Sequence, residues 1–216
     1  MAEDTHADTT PPLHLSADAL REWMLHVESV MRGVAHAMNN RAAALSAVVE
    51  LSQQGPDDDP EATKSILSSE LLRVSELARA VRLLGPPRSG TEAFAPRDVV
   101  SDAIALLRLH SEQRKRVISI DTSSAPPIRV PRWMFVRSLV ALCASAAARG
   151  NPAHLQAAVT ADGDWVNVRV DGIDAELLST SPYTAEVARA MGGEPLGDAL
   201  GFRIPSLPAL RQREAR

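Results

Sequence analysis

Gly33-Val34-Ala35-His36-Ala37-Met38-Asn39-Asn40 lies inside a run from Ser16 to Gln54 that contains no proline. Apolar residues recur through that run at Leu20, Trp23, Met24, Val27, Val30, Met31, Val34, Met38, Leu45, Val48 and Val49. The spacings are mostly three and four, which places them on one stripe of a helix. Ser16 is the expected N-cap, with Asp18 and Glu22 near the positive helix end. A helix over 16–54 extends roughly 58 Å at about 1.5 Å per residue. Taking Val34 as the core direction, His36 projects about 200° away, on an outer face shared with Arg32, Asn40, Ala43 and Ala47.

A helix this long and two-faced needs a partner. Gly55-Pro56-Asp57-Asp58-Asp59-Pro60 reads as a turn, with Asp59 as N-cap and Pro60 at the first helical position. A second stripe follows at Ile66, Leu67, Leu71, Val74, Leu77, Ala78, Val81 and Leu84, ended by Gly85-Pro86-Pro87. The short connection makes the two helices antiparallel neighbours. Two helices cannot enclose a core, whereas two hairpins can form a four-helix bundle, so a homodimer is expected.

Past the linker at 85–91 the pattern changes. Helices are predicted over 97–113, 132–149 and 184–191, and strands over 117–121, 154–161, 165–170 and 202–205. Asp162-Gly163-Asp164 is a hairpin signal. The expected fold class is α+β: an N-terminal helical hairpin (16–84) forming a dimeric four-helix bundle, then a small α/β sandwich (92–206). Residues 1–15 and 207–216 are expected to be tails.

Composition narrows the function classes. Of 216 residues, 45% are hydrophobic, enough for a core, but only 3% are aromatic, so Leu, Val, Ala and Ile must build it. A net charge of −4 argues against a general nucleic-acid partner. No apolar run reaches the roughly 18 residues of a membrane span, and the first dozen residues lack a signal-peptide core, so a cytoplasmic location is expected. No sensor region is expected before the long helix, which leaves another protein to deliver any signal. Cys143 is the single cysteine, flanked by Leu142 and Ala144, and is expected to be a buried small hydrophobe. His6, His14, His26, His110 and His154 are scattered and suggest no zinc site; no metal or cofactor is expected. Asp57-Asp58-Asp59 is read as a solvated turn, Arg114-Lys115-Arg116 as a solvated helix end, and Trp23 and Trp133 as core.

The order of elements over about 25–206 resembles the core of two-component histidine kinases, a dimerising phosphoacceptor hairpin followed by an ATP-binding α/β sandwich. Gly33-Val34-Ala35-His36 with Asn39-Asn40 resembles the phosphoacceptor box, although Ala37 stands where the family usually has an acid. Phe94 to Val100 resembles the first strand and helix of the ATP domain. Ala190-Met191-Gly192-Gly193-Glu194 and Gly201-Phe202-Arg203-Ile204-Pro205 resemble its final helix and strand. The nucleotide motifs depart from the family. Ser145 stands where the metal-binding asparagine is expected, Val170-Asp171-Gly172-Ile173-Asp174 is a shortened adenine box, and the segment 175–183 lacks the glycines of a phosphate loop.

The resemblance therefore implies a histidine phosphotransferase rather than a kinase. His36 would carry the phosphoryl group to or from the receiver domains of response regulators, or from a hybrid histidine kinase. The acid after the histidine serves attack on ATP, whereas a receiver domain brings its own Mg²⁺ and phosphoryl stabilisation. Asn40 would orient water or the phosphoryl group, and Arg32, Asn39, Ala43 and Ala47 would meet the partner. The alternative is a non-catalytic pseudokinase scaffold that binds a regulator or kinase through the same bundle. An active kinase with divergent motifs ranks third.

Overall fold

The computed structural model describes residues 14–52, 60–85, 90–111, 113, 116–150, 154–172 and 181–215. The chain opens with α1 (Ala17–Ser52) and α2 (Pro60–Leu84). Ser16 caps α1 as its sequence suggests, its Oγ accepting from the Ala19 amide at 3.2 Å. Pro60 begins α2. The turn expected over 55–59 lies outside the described residues.

The remainder is β1 (Glu92–Phe94), α3 (Arg97–Leu109), β2 (Val117–Asp121), β3 (Ile128–Val130), α4 (Arg132–Gly150), β4 (His154–Asp162), β5 (Trp165–Asp171), α5 (Pro182–Ala190), β6 (Glu194–Pro195), β7 (Gly201–Pro205) and α6 (Leu207–Glu214). The fold class is the α+β arrangement expected, a helical hairpin followed by a small sheet domain. Five strands form one sheet in the order β2-β4-β5-β7-β6, with β2 parallel to β4 and the other pairs antiparallel. Register places Leu155, Ala157 and Val159 on the same face as Val170, Val168 and Val166, and beside Phe202 and Ile204. Those side chains are buried, together with Phe135, Leu139 and Leu142 of α4 and Val187 of α5. The opposite face carries Asn167, Arg169 and Arg203, as expected of a sheet with one wet side. Gly163 turns the β4–β5 hairpin at φ +58°. Cys143 is buried, and burial pushes its thiol up to about 12.

Three expectations need correction. The helix predicted over 97–113 stops at Leu109, and Gln113 beyond it is buried. The strands β3 and β6 are additional, and β3 pairs with β1 in a two-stranded sheet of three residues each. Such short strands leave no alternation to detect. The stretch 207–216 is not a tail as far as Glu214: α6 starts at a Ser206 cap, and Leu207 and Ala209 are buried. The stripe on α1 has two surroundings within the single chain. Ala19, Trp23, Val30 and Val34 are buried within the chain, while Leu20, Met24, Met31 and Met38 are exposed.

Candidate functional site

The helix α1 divides at Gly33 into two halves with different surroundings. In the first half, successive turns are fastened to the α/β domain. The Ser16 amide donates to Glu186 Oε2 at 2.8 Å, and Ser16 Oγ donates to Oε1 at 2.5 Å. Two turns on, Glu22 Oε2 accepts from the Tyr183 amide at 3.0 Å, and Oε1 accepts from Ser145 Oγ at 3.0 Å. The Tyr183 amide belongs to the first turn of α5, so the carboxylate sits where free N–H groups and the helix dipole favour an anion. Burial opposes ionisation of Glu22, but His26, the Tyr183 amide and the Ser181 and Ser145 hydroxyls outweigh it, bringing the carboxyl from 4.5 to about 2.

Trp23 stacks on Tyr183, with ring centroids 4.9 Å apart and planes 14° from parallel. The Arg137 guanidinium lies over the Trp23 ring at 5.2 Å and over Trp133 at 4.8 Å. Further along, Ser29 Oγ lies 3.1 Å from His110 Nδ1 and 2.8 Å from Ser111 Oγ. The His26 and His110 rings are 5.7 Å apart. Burial, then the neighbouring His26, lowers the His110 pKa to about 4, so this imidazole is neutral near pH 7. The half ends at Gly33, where a Cβ would lie 1.6 Å from the Leu109 carbonyl oxygen. Only glycine lets the end of α3 approach the α1 backbone this closely.

Ser145, the residue standing where the resemblance expects a metal-binding asparagine, is therefore already engaged by the chain's own Glu22. Asp171 and Gly172 lie at the end of β5, and Gly172 has φ +77°. The rest of the shortened adenine box and most of the 175–183 segment fall outside the described residues. Among the described residues no group of three or more His, Cys, Asp or Glu side chains is arranged to hold a metal. No helix of the described residues is long and apolar enough to cross a membrane.

The second half of α1 is different. His36 is exposed, as its position on the helix predicts, and Asn39, Asn40, Ala43 and Ala47 are exposed with it. Asn40 Nδ2 lies 3.4 Å from His36 Nε2. The Asn40 amide N–H donates to Nε2 in the tautomer whose ring proton is on Nδ1. Arg32 is exposed but paired with Glu28 at 2.9 Å, one turn earlier on the same helix. Arg41 reaches across to α2, where Glu70 also accepts from Arg73. Burial opposes ionisation of Glu70, but these two guanidinium groups hold its carboxyl below the usual range.

The residues that helix geometry places on the outer face, Arg32, His36, Asn40, Ala43 and Ala47, are all exposed, and Asn39 is exposed beside them. Sequence reasoning missed Glu22, Tyr183 and His110 as an interface. Ser181 before Pro182 was the one available signal there, a cap that marks where α5 begins.

No family model matches the sequence, and no curated protein matches it. Among solved structures, the histidine kinase AdeS of Acinetobacter baumannii is similar at 18% identity, over 80% of this chain and 98% of that one, with TM-score 0.43. A histidine kinase from Burkholderia phymatum is similar at 14% identity over 89% of this chain and 98% of that one, with TM-score 0.41. Histidine kinase ThkA, solved in complex with the response regulator TrrA, is similar at 18% identity over 81% of this chain and 60% of its own, with TM-score 0.40. At such distances function has to be read from this chain's own residues.

Proposed function

We propose that this chain is a histidine phosphotransferase of a two-component phosphorelay, working as a homodimer and without ATP. The observation that carries the reading is the exposed His36, whose Nε2 lies 3.4 Å from Asn40 Nδ2 on a helix surface that continues through the small residues Ala43 and Ala47. Transfer from a receiver domain forms a bond from Nε2 to phosphorus and breaks the bond from phosphorus to the receiver's aspartyl oxygen. The carboxylate leaves with its electron pair, and the imidazole keeps its proton on Nδ1. Asn40 Nδ2 then lies close enough to hydrogen-bond a phosphoryl oxygen. Ala43 and Ala47 let a globular partner come near without displacing long side chains.

Two further observations support the reading. Ser145 is bound to Glu22 rather than open to a nucleotide's metal. Leu20, Met24, Met31 and Met38 on α1 and Ile66, Leu71 and Leu72 on α2 are exposed on the single chain, which favours a second hairpin packing against them. The deciding experiment offers labelled phospho-receivers to the wild type and to His36→Gln. Label should pass to the wild type only. If no receiver labels the wild type, yet one binds both proteins with micromolar affinity, the chain is the non-catalytic scaffold instead.

A further inference from the structure

A cavity of about 530 Å³ opens at the joint between the hairpin and the α/β domain, within the size range of small-molecule sites. Among the described residues its wall holds four guanidinium groups from two elements: Arg79 and Arg82 near the end of α2, and Arg132 and Arg137 in the first two turns of α4. That concentration runs against the chain's net charge of −4. The opposing carboxylates are few. Asp102 pairs with Arg79 at 2.7 Å and with Arg132 at 3.5 Å, so one carboxylate serves two cations. Glu92 is the one acid in the wall. Arg137 is buried and donates to the Leu83 and Gly85 carbonyls at the end of α2, with no carboxylate in salt-bridge range among the described residues. Arg82 is exposed and likewise lacks a carboxylate partner among the described residues. Among the described residues, four guanidinium groups line this space against Glu92 in the wall and Asp102 behind it, a surplus of two positive charges.

The cavity is not uniformly polar. Leu83, Trp133 and Val136 line it beside the arginines. The first turn of α4 begins at Arg132, so the positive end of that helix points to the same region.

We propose that this cavity binds a small dianion with a short carbon or phosphoanhydride body, held by Arg82 and the Arg79–Arg132 pair. Guanidinium forks match the paired oxygens of phosphate and carboxylate alike. A ligand held there touches α2 and α4 at once and so fixes the hairpin against the α/β domain. His36 is not among the residues that line the cavity, and the proposal does not depend on the phosphotransfer reading.

Titration calorimetry on the full chain, at constant ionic strength, tests this with pyrophosphate and succinate as probes. The two separate phosphoryl from carboxylate ligands. At least one should bind saturably at submillimolar concentration, and Arg82→Gln should weaken it by about tenfold or more. Arg82 has no carboxylate to leave unpaired, so this variant should fold as the wild type does. Arg169→Gln, on the wet face of the sheet, should leave binding unchanged, and so should Ser181→Ala at the α5 cap. Loss of binding in Ser181→Ala would place the anion at α5 and overturn the assignment. So would saturable binding that Arg82→Gln leaves untouched, or no saturable binding of either probe below about 10 mM, roughly −2.7 kcal/mol.

Discussion

The two halves of α1 have similar side chains and opposite circumstances. Before Gly33, a serine, a glutamate, a tryptophan and a second serine all meet residues of the α/β domain. After it, a histidine, two asparagines and two alanines meet solvent. One continuous helix is thus a structural spine along its first half and a presented surface along its second. Ser16, Glu22 and Ser29 of the first half are fixed by contacts with the α/β domain, whereas His36, Asn39 and Asn40 of the second are open to a partner. Substitutions at the docked residues of the first half should therefore be read as changes in stability, and those on the His36 surface as changes in interaction.

The largest expected effect is at Trp23. Its ring lies against Tyr183 and under Arg137, and the residue is 7% exposed. Trp23→Ala removes the stack and leaves a cavity between α1 and α5. Unfolding in denaturant should show a loss of about 3–4 kcal/mol. A loss below about 1 kcal/mol would mean that the first half of α1 is not docked.

Acid tests the same contact through Glu22. Its carboxyl ionises at about 2 in the folded chain, against an ordinary 4.5. The folded state therefore binds this proton less readily than the unfolded state. The stabilisation is fully present above about pH 4.5 and is lost as pH falls towards about 2. Its ceiling is about 3 kcal/mol. The slope of stability against pH in that window should be shallower in Glu22→Gln than in the wild type. Equal slopes would remove Glu22 from the interface.

These contacts were the least legible part of the sequence, and the reason is physical. Periodicity, caps and turns act within a few residues, so Ser16, Pro60 and Asp162-Gly163-Asp164 announced the elements they begin or join. The α6 helix carries an equivalent local signal, a Ser206 cap followed by Pro208, in a stretch that reads as a tail in the sequence. Glu22 and Tyr183 are 161 residues apart, and His26 and His110 meet only through tertiary packing. Locally Glu22 looks like an acid near a helix start, and His110 like one of several isolated histidines. The exposed position of His36 was legible because it follows from helical geometry alone.

Gly33 marks the boundary between the halves and should show an intermediate effect. Alanine normally favours a helix over glycine by about 1 kcal/mol. Here the added methyl would lie 1.6 Å from the Leu109 carbonyl oxygen, so α1 and α3 must separate. The net result of Gly33→Ala should be a loss of about 1–2 kcal/mol, with hydrogen exchange rising at Ser111, whose amide donates to Ser29 O at 3.4 Å. A stabilised variant would show that the helices part without cost.

The smallest expected effect on folding is in the second half, where it is the most informative. His36 and Asn40 are exposed and bonded chiefly to each other at 3.4 Å. Asn40→Ala should change stability by no more than about 0.5 kcal/mol. It removes the N–H that points at Nε2 without removing the nucleophile. If Asn40 acts on the phosphoryl group, labelled receiver should still pass phosphate to His36, with altered rates of transfer and of phosphohistidine hydrolysis. If the two residues are merely neighbours on a solvated face, both rates should match the wild type while stability stays the same. Rapid-quench phosphotransfer measured beside denaturant unfolding separates these outcomes. A large loss of stability in Asn40→Ala would contradict both and would extend the structural role of the first half of α1 into the second.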